Sequence, residues 1–273
     1  IVVVTADNGM PFPRIKGQEY ELSNHLPLAI MWPEGITAPG RTINDFVNFI
    51  DFAPTFLELA DVDWDESGMQ PTPGISLTDI FASDQEGIVN PSRDHVLIGK
   101  ERHDIGRPND WGYPIRGIVN GDYLYIRNFE PTRWPAGNPE TGYLNTDGSP
   151  TKTEILTDRR EAGQSVHWDL SFGKRPEEEM FNIVVDPCCI DDLLASNDLS
   201  EEMTDLRDTL RDQLLEELTA QEDPRALGRG EIFEAFPYAD VGQQNFYEKY
   251  MRGEPLKAGW VSPSDFESEP LDK

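Results

Sequence analysis

The stretch Ile1-Val2-Val3-Val4-Thr5-Ala6-Asp7-Asn8-Gly9 decides how the rest of this sequence is read. Consecutive β-branched residues have the composition of a buried strand, and here the strand runs directly into a carboxylate, an amide and a glycine. Pro11 and Pro13 then force an irregular loop. A second apolar run, Pro27-Leu28-Ala29-Ile30-Met31-Trp32, reads as another buried strand, stopped by Pro33 and Gly35. Between Asn44 and Ala60 the residues Phe46, Phe49, Ile50, Ala53, Phe56, Leu57 and Ala60 keep helical spacing, and Pro54 marks a break or a fresh first turn. Strand, loop, strand, helix is the rhythm of an α/β sheet. No initiator Met or polar leader precedes Ile1. A strand that opens a chain leaves backbone groups unpaired, so the sequence is expected to be the carboxy-terminal part of a longer protein.

Further on, short strands are expected at Val96-Leu97-Ile98, Ile115 to Val119 and Tyr123 to Ile126. Asn120-Gly121-Asp122 is a hairpin signal between the last two. The segment from Arg133 to Lys174, rich in Gly, Pro, Asn and Thr, predicts a long surface excursion. Asp198 with Glu201 suggests a capping box, after which Met203, Leu206, Leu210, Leu214 and Leu218 recur at steps of three and four, the stripe of an amphipathic helix. Beyond Gly228 no periodicity persists, and the end reads as an irregular strap. The expected divisions are 1–90 as the α/β core part, 91–240 as a carboxy-terminal α+β subdomain, and 241–273 as a tail.

The net charge of −28, from 51 acidic and 23 basic residues, argues against nucleic acid and against an anionic membrane surface as partners. No run approaches the roughly 18 apolar residues of a membrane span. The adjacent Cys188 and Cys189 have neither a bridging geometry nor a metal-knuckle spacing and read as packing thiols.

Asp7 and Asn8 follow a strand at the carboxyl edge where open α/β sheets collect ligands. Their oxygens are hard donors suited to Ca²⁺ or Mg²⁺, although Asp-Asn-Gly alone is also an ordinary turn. The surrounding order of residues resembles the second half of the formylglycine-dependent sulfatase core, most closely its heparan N-sulfatase-like branch. The family pattern of strand, Asp-Asn-Gly, a basic residue, an acidic Tyr-containing turn and a strand-opening Pro is matched by Asp7-Asn8-Gly9, Lys16, Tyr20-Glu21 and Pro27. Asp51 to Ala60 resembles the helix that follows, Glu178 to Pro187 the signature before the terminal helix, and Asp223-Pro224-Arg225 the segment after it.

The resemblance implies a partial alkaline-phosphatase-like sulfatase core with an antiparallel-sheet-plus-helix subdomain. It implies that Asp7 and Asn8 ligate a divalent cation, most often Ca²⁺ with Mg²⁺ as the alternative, and that Lys16 is a catalytic contact to the sulfate. His25 stands where many relatives have Arg and is a candidate substrate contact, as are Arg102, His103 and Asp104; a solvated loop with local ion pairs is the plain alternative for these. His95 and His167 default to structural roles. The implied reaction is metal-assisted hydrolysis of sulfate esters or N-sulfates on sulfated carbohydrates, in a periplasmic, extracellular or lysosomal setting. Because substrate and protein are both anionic, Arg14, Lys16, Lys100, Arg102 and Arg107 are expected to cluster as a local basic patch.

One part of the family pattern is missing. The nucleophile lies in a C-x-P-x-R or S-x-P-x-R motif, and the nearest string here, Val89-Asn90-Pro91-Ser92-Arg93, has a valine at the reactive position. The formylglycine, the upstream Asp pair of the metal site and the leaving-group Lys and His are therefore expected in a segment outside these residues, and the chain is expected to be inactive alone. A phosphatase or phosphonate monoester hydrolase of the same superfamily and a non-catalytic glycan-binding derivative are the rival readings.

Overall fold

The structure is a computed structural model that describes residues 1–196 and 198–271; the last two residues of the expected tail lie outside it. The described chain groups into two compact units, one made of residues 1–6, 27–96 and 119–121, the other of 7–26, 97–118 and 122 onward.

In the first unit β1 (Val2–Thr5) pairs antiparallel with β2 (Leu28–Met31), with Val2 opposite Met31 and Thr5 opposite Leu28. Both strands appear where the sequence places them, but they are not buried. Val4 is 62% and Met31 58% exposed: this sheet has two strands, and while Ile30 packs against the core of Leu77, Ile80 and Phe81, Val2, Val4 and Met31 stay open. The intervening segment, part of the second unit, carries the one-turn helix α1 (Glu21–Asn24). A 3₁₀ turn at Phe49–Asp51 leads into α2 (Phe52–Leu59), which places Pro54 in its first turns, where a missing N–H costs nothing. With α3 (Thr78–Ala82) it encloses a core of Leu77, Ile80 and Phe81, against which Trp32, Ile43, Phe52 and Leu59 pack. Asp51 organises this unit. Its carboxylate accepts from Asn48 N at 3.0 Å, Ile75 N at 2.8 Å and Arg93 Nη1 at 3.0 Å. Arg93, the arginine of the nucleophile-like string, is thus a buried structural partner.

The second unit is built on a sheet in the order β3 (His95–Lys100), β4 (Ile115–Asn120), β5 (Tyr123–Asn128), β6 (Glu178–Asn182). The expected hairpin is present, its Gly121 at φ 55°. Strand β6 pairs antiparallel with β5, Leu124 opposite Phe181. The expected surface excursion is corrected. Residues 133–174 contain α4 (Pro150–Ala162) and α5 (Val166–Phe172), each capped by a serine: Ser149 accepts from Lys152 N and Ser165 from Trp168 N. Trp134, Ala136, Tyr143, Leu156, Trp168 and Phe172 form a core cluster there. The polar composition misled because α4 buries a lysine beside its one buried leucine, so no apolar stripe appears.

Helix α6 (Glu201–Ala220) has the expected stripe, with Leu210, Leu214 and Leu218 packed on Ile118, Tyr125 and Met180. Its cap is Ser200, whose hydroxyl accepts from Met203 N at 3.2 Å, in place of the expected Asp198; Ser200 directly precedes the first turn, which Asp198 does not reach. The strap carries two short helices, α7 (Glu231–Glu234) and α8 (Phe246–Met251). It is fastened by Phe246 and Ala258 against Ile105 and Leu144. The α/β class with an antiparallel-sheet-plus-helix subdomain holds. Among the described residues no helix is long and apolar enough to cross a membrane.

Candidate functional site

Lys16 leaves a turn-rich loop in which Lys16 N donates to Met10 O and Gln18 N to Ile15 O. Its ammonium meets Asp147 Oδ2 at 2.7 Å, and both side chains keep nearly a third of their surface open to solvent, 30% and 28%. Gly17 follows at φ +73°, with His103 so close that a Cβ would lie 2.7 Å from the ring Cδ2. The Gly17 carbonyl accepts from Lys100 Nζ. The backbone after Lys16 thus joins strand β3 and His103.

The loop after β3 is pinned from several sides. Glu101 receives Arg116 at 2.7 Å and Arg225 at 3.1 Å; Arg116 also reaches Asp223 at 2.9 Å. Thr141 Oγ1 donates to Gly106 O at 2.6 Å, and Arg107 donates to the carbonyls of Trp134 and Pro135, each at 2.8 Å. His103 and Asp104 are therefore presented by fixed backbone on either side.

The electrostatics of this cluster follow from its packing. Partial burial, then the cations Lys100 and Lys16, pull the His103 imidazole down to about 4, although the residue keeps one open face. It is neutral at pH 7. Burial raises Asp104 to about 6, opposed by the Ile105 N–H that it accepts and by Arg107. Lys100 and Glu19 lie within each other's field, and burial drives both toward their neutral forms.

The structure brings Lys16, His103 and Asp104 together, and Asp147 is a member that the sequence did not single out. Lys100 and Arg107 of the expected basic patch act on His103. Arg102 and Arg14 are spent on backbone. Arg102 donates to the carbonyls of Asp110 and Phe236, at 2.9 and 3.0 Å. Arg14 donates to Leu170 O at 2.7 Å and to Cys189 O, and lies over the Tyr20 ring. His25 sits on the exposed end of α1, bonded to Glu21 at 2.5 Å.

Asp7 is exposed and Asn8 half-buried, and neither side chain bonds to another described residue. Their free oxygens suit a hard cation in kind, but two donors fall short of the six to eight that Ca²⁺ takes. Among the described residues no group of three or more His, Cys, Asp or Glu could hold a metal ion.

Gly17→Ala tests whether the backbone at Lys16 is as constrained as it looks. A side chain at this left-handed φ costs about 1–2 kcal/mol, and the Cβ would push His103 aside. Chemical denaturation should show that loss, and the His103 ring resonances should move.

Residues 16–92 match the family model described as N-sulphoglucosamine sulphohydrolase, C-terminal. The chain is 24% identical over 217 residues to an ulvan-active sulfatase of Formosa agariphila, covering 77% of this chain and 32% of that protein. It is 25% identical over 203 residues to the N-sulphoglucosamine sulphohydrolase of Homo sapiens, covering 68% of this chain and 38% of that protein. A solved structure, BT4656 in complex with its substrate D-glucosamine-2-N,6-O-disulfate, aligns with a TM-score of 0.47 at 19% identity over 76% of this chain and 31% of that one. The chain spans about a third of the length of the curated relatives it matches, 32% and 38%. Its similarity is to the carboxy-terminal portion of sulfatases of the N-sulphoglucosamine branch.

Proposed function

We propose that this chain is the carboxy-terminal part of a sulfatase acting on sulfated carbohydrates, through an O-sulfate ester or an N-sulfate, and that Lys16 holds the sulfate. The observation that supports this reading is that the Lys16 ammonium is partly open to solvent beside neutral His103, in the residue that the sequence resemblance aligns with the family's sulfate-contacting basic residue. An ammonium has three N–H donors. One is engaged by Asp147, which leaves donors for the oxygens of an incoming anion.

Asp7 and Asn8 would hold part of the divalent cation, which when bound supplies Lewis-acid polarisation of the sulfate oxygens. His103, lacking a charge at neutral pH, offers a hydrogen bond to a sugar hydroxyl. The compartment that this reading implies is periplasmic, extracellular or lysosomal. The formylglycine of the family mechanism would be supplied by sequence other than these 273 residues, which contain no C-x-P-x-R or S-x-P-x-R string.

The test is binding. Titration of the ¹⁵N-labelled chain with glucosamine 6-sulfate should shift the amides of Lys16, Gly17 and His103, and Lys16→Ala should weaken binding by about tenfold or more. Shifts confined to other regions, or an undiminished affinity in the variant, would sink the assignment. Inorganic phosphate binding much more tightly than inorganic sulfate would favour the phosphate-hydrolase rival.

Acidity gives a second expectation. Asp104 is charged at pH 7.5 and neutral at pH 5, since burial has raised it to about 6. His103, near 4, gains no charge over that interval. Arg107, lowered by burial to about 9, stays protonated around it, Tyr238 stays neutral, and Lys100, lowered by burial to about 7, gains its proton over the same interval. Acidification therefore removes the negative charge of Asp104 and adds a positive one at Lys100, and sulfate affinity should rise by about threefold to tenfold between pH 7.5 and 5. A flat profile would exclude Asp104 from the anion's surroundings.

A further inference from the structure

We propose that Asp147 is the specificity-determining carboxylate of this site: it selects a sulfated sugar that places a hydrogen-bond donor, an ammonium or a hydroxyl, beside the sulfate, and rejects one that carries a second anion there. This rests on the reading of Lys16 as the sulfate contact.

Asp147 is not a chance surface partner. Its ion pair joins residues 131 positions apart, and it stands on a loop that the fold anchors on both sides. On the amino side, fully buried Lys152 gathers the carbonyls of Gly142, Tyr143 and Thr146 at 2.8, 3.2 and 2.7 Å, with Asp265 as its counter-charge at 3.3 Å. On the carboxyl side Gly148 N donates to Trp260 O at 2.6 Å, and Ser149 caps α4. The carboxylate is therefore held at its position.

A fixed carboxylate 2.7 Å from the ammonium has two effects. It opposes any bare anion that approaches Lys16, because the like charge lies within a few ångströms of the incoming oxygens. It also offers a second recognition pole, since only Oδ2 is engaged by Lys16 and the other lone pairs face no donor among the described residues. A ligand with its sulfate on Lys16 and a donor on Asp147 satisfies both poles. A ligand with two adjacent sulfates meets repulsion from Asp147, reinforced by Asp104 nearby.

The experiment compares three sugars with the same 3-O-sulfate and different groups at the adjacent C2: glucosamine 3-sulfate, N-acetylglucosamine 3-sulfate and glucosamine N,3-disulfate. Calorimetric titration of the wild-type chain is expected to rank them in that order, with the first about fivefold or more tighter than the last. Asp147→Asn should compress that ratio to about twofold or less and bind inorganic sulfate more tightly. Asp147→Ser, which leaves the capping serine untouched, serves if the amide variant unfolds. A ratio that survives both substitutions while Lys16→Ala still abolishes binding overturns the role of Asp147 and leaves the sulfate site standing. Binding that does not depend on Lys16, or no binding at all, overturns both.

Discussion

Asp265→Ala is expected to lower the unfolding free energy by about 3–5 kcal/mol, the range seen when one partner of a buried ion pair is removed. The Lys152 and Asp265 side chains are both 0% exposed. Without the carboxylate the ammonium keeps its three carbonyl acceptors and loses its counter-charge in a medium that cannot solvate it. Asp265 Oδ2 also accepts from Ser262 N at 3.0 Å, so the strap would loosen as well. The defect should depend on pH. Burial lowers Lys152 to about 8, and Asp265 opposes that shift. Between this value and the lysine's ordinary 10.5 the unfolded chain binds more protons, so the stability contribution of Lys152 rises with pH across that window. Removing Asp265 lowers the folded value further, which deepens the penalty below pH 8 and lets alkali relieve more of it. Urea denaturation at pH 7 and pH 10 measures the difference between wild type and variant. A loss under about 1 kcal/mol at pH 7 would mean that water reaches this pair.

Asp51→Ala should be comparably severe, again about 3–5 kcal/mol, within the first unit. The substitution strands Arg93, whose Nη2 retains the carbonyls of Ile75 and Ser76 at 2.9 and 2.7 Å. It also leaves Asn48 N and Ile75 N without their acceptor. Amide exchange at Ile75 and at Leu77, which donates to the neighbouring Thr55 hydroxyl at 2.9 Å, should accelerate most. Arg93→Ala should cost about as much. The double variant should fall well short of the sum, since both substitutions remove the same interaction.

These two pairs also show what could and could not be read from residue order. Periodicity located β1 to β5, α2 and the leucine face of α6, because each buries or aligns side chains at its natural repeat. It missed α4 and α5. Their support comes from Lys152, Ser149 and Ser165 and from aromatics contributed by distant segments, and a buried lysine reads as a surface one until its partner is known. Strand β6 lay inside the Glu178 to Pro187 signature, where motif and strand coincide but alternation is short. At the site, the linear motif pointed to Lys16, His103 and Asp104. Nothing local marked Asp147, which lies in Asn145-Thr146-Asp147-Gly148-Ser149, an ordinary turn by composition that only the tertiary fold carries to Lys16. The five proposed basic residues look alike in sequence. Backbone carbonyls, which sequence does not display, consume Arg14 and Arg102.

The discontinuous make-up of the second unit bears on any attempt to dissect the gene. Residues 7–26 are grouped with the carboxy-terminal body, although the strands on either side of them are not. A clone beginning at Leu97 would encode His103, Asp104 and Asp147 without the lysine they surround, and one ending at Val96 would encode the lysine alone. Neither fragment could report on anion recognition, whatever its solubility, so deletion mapping would score both halves as essential without locating the site in either.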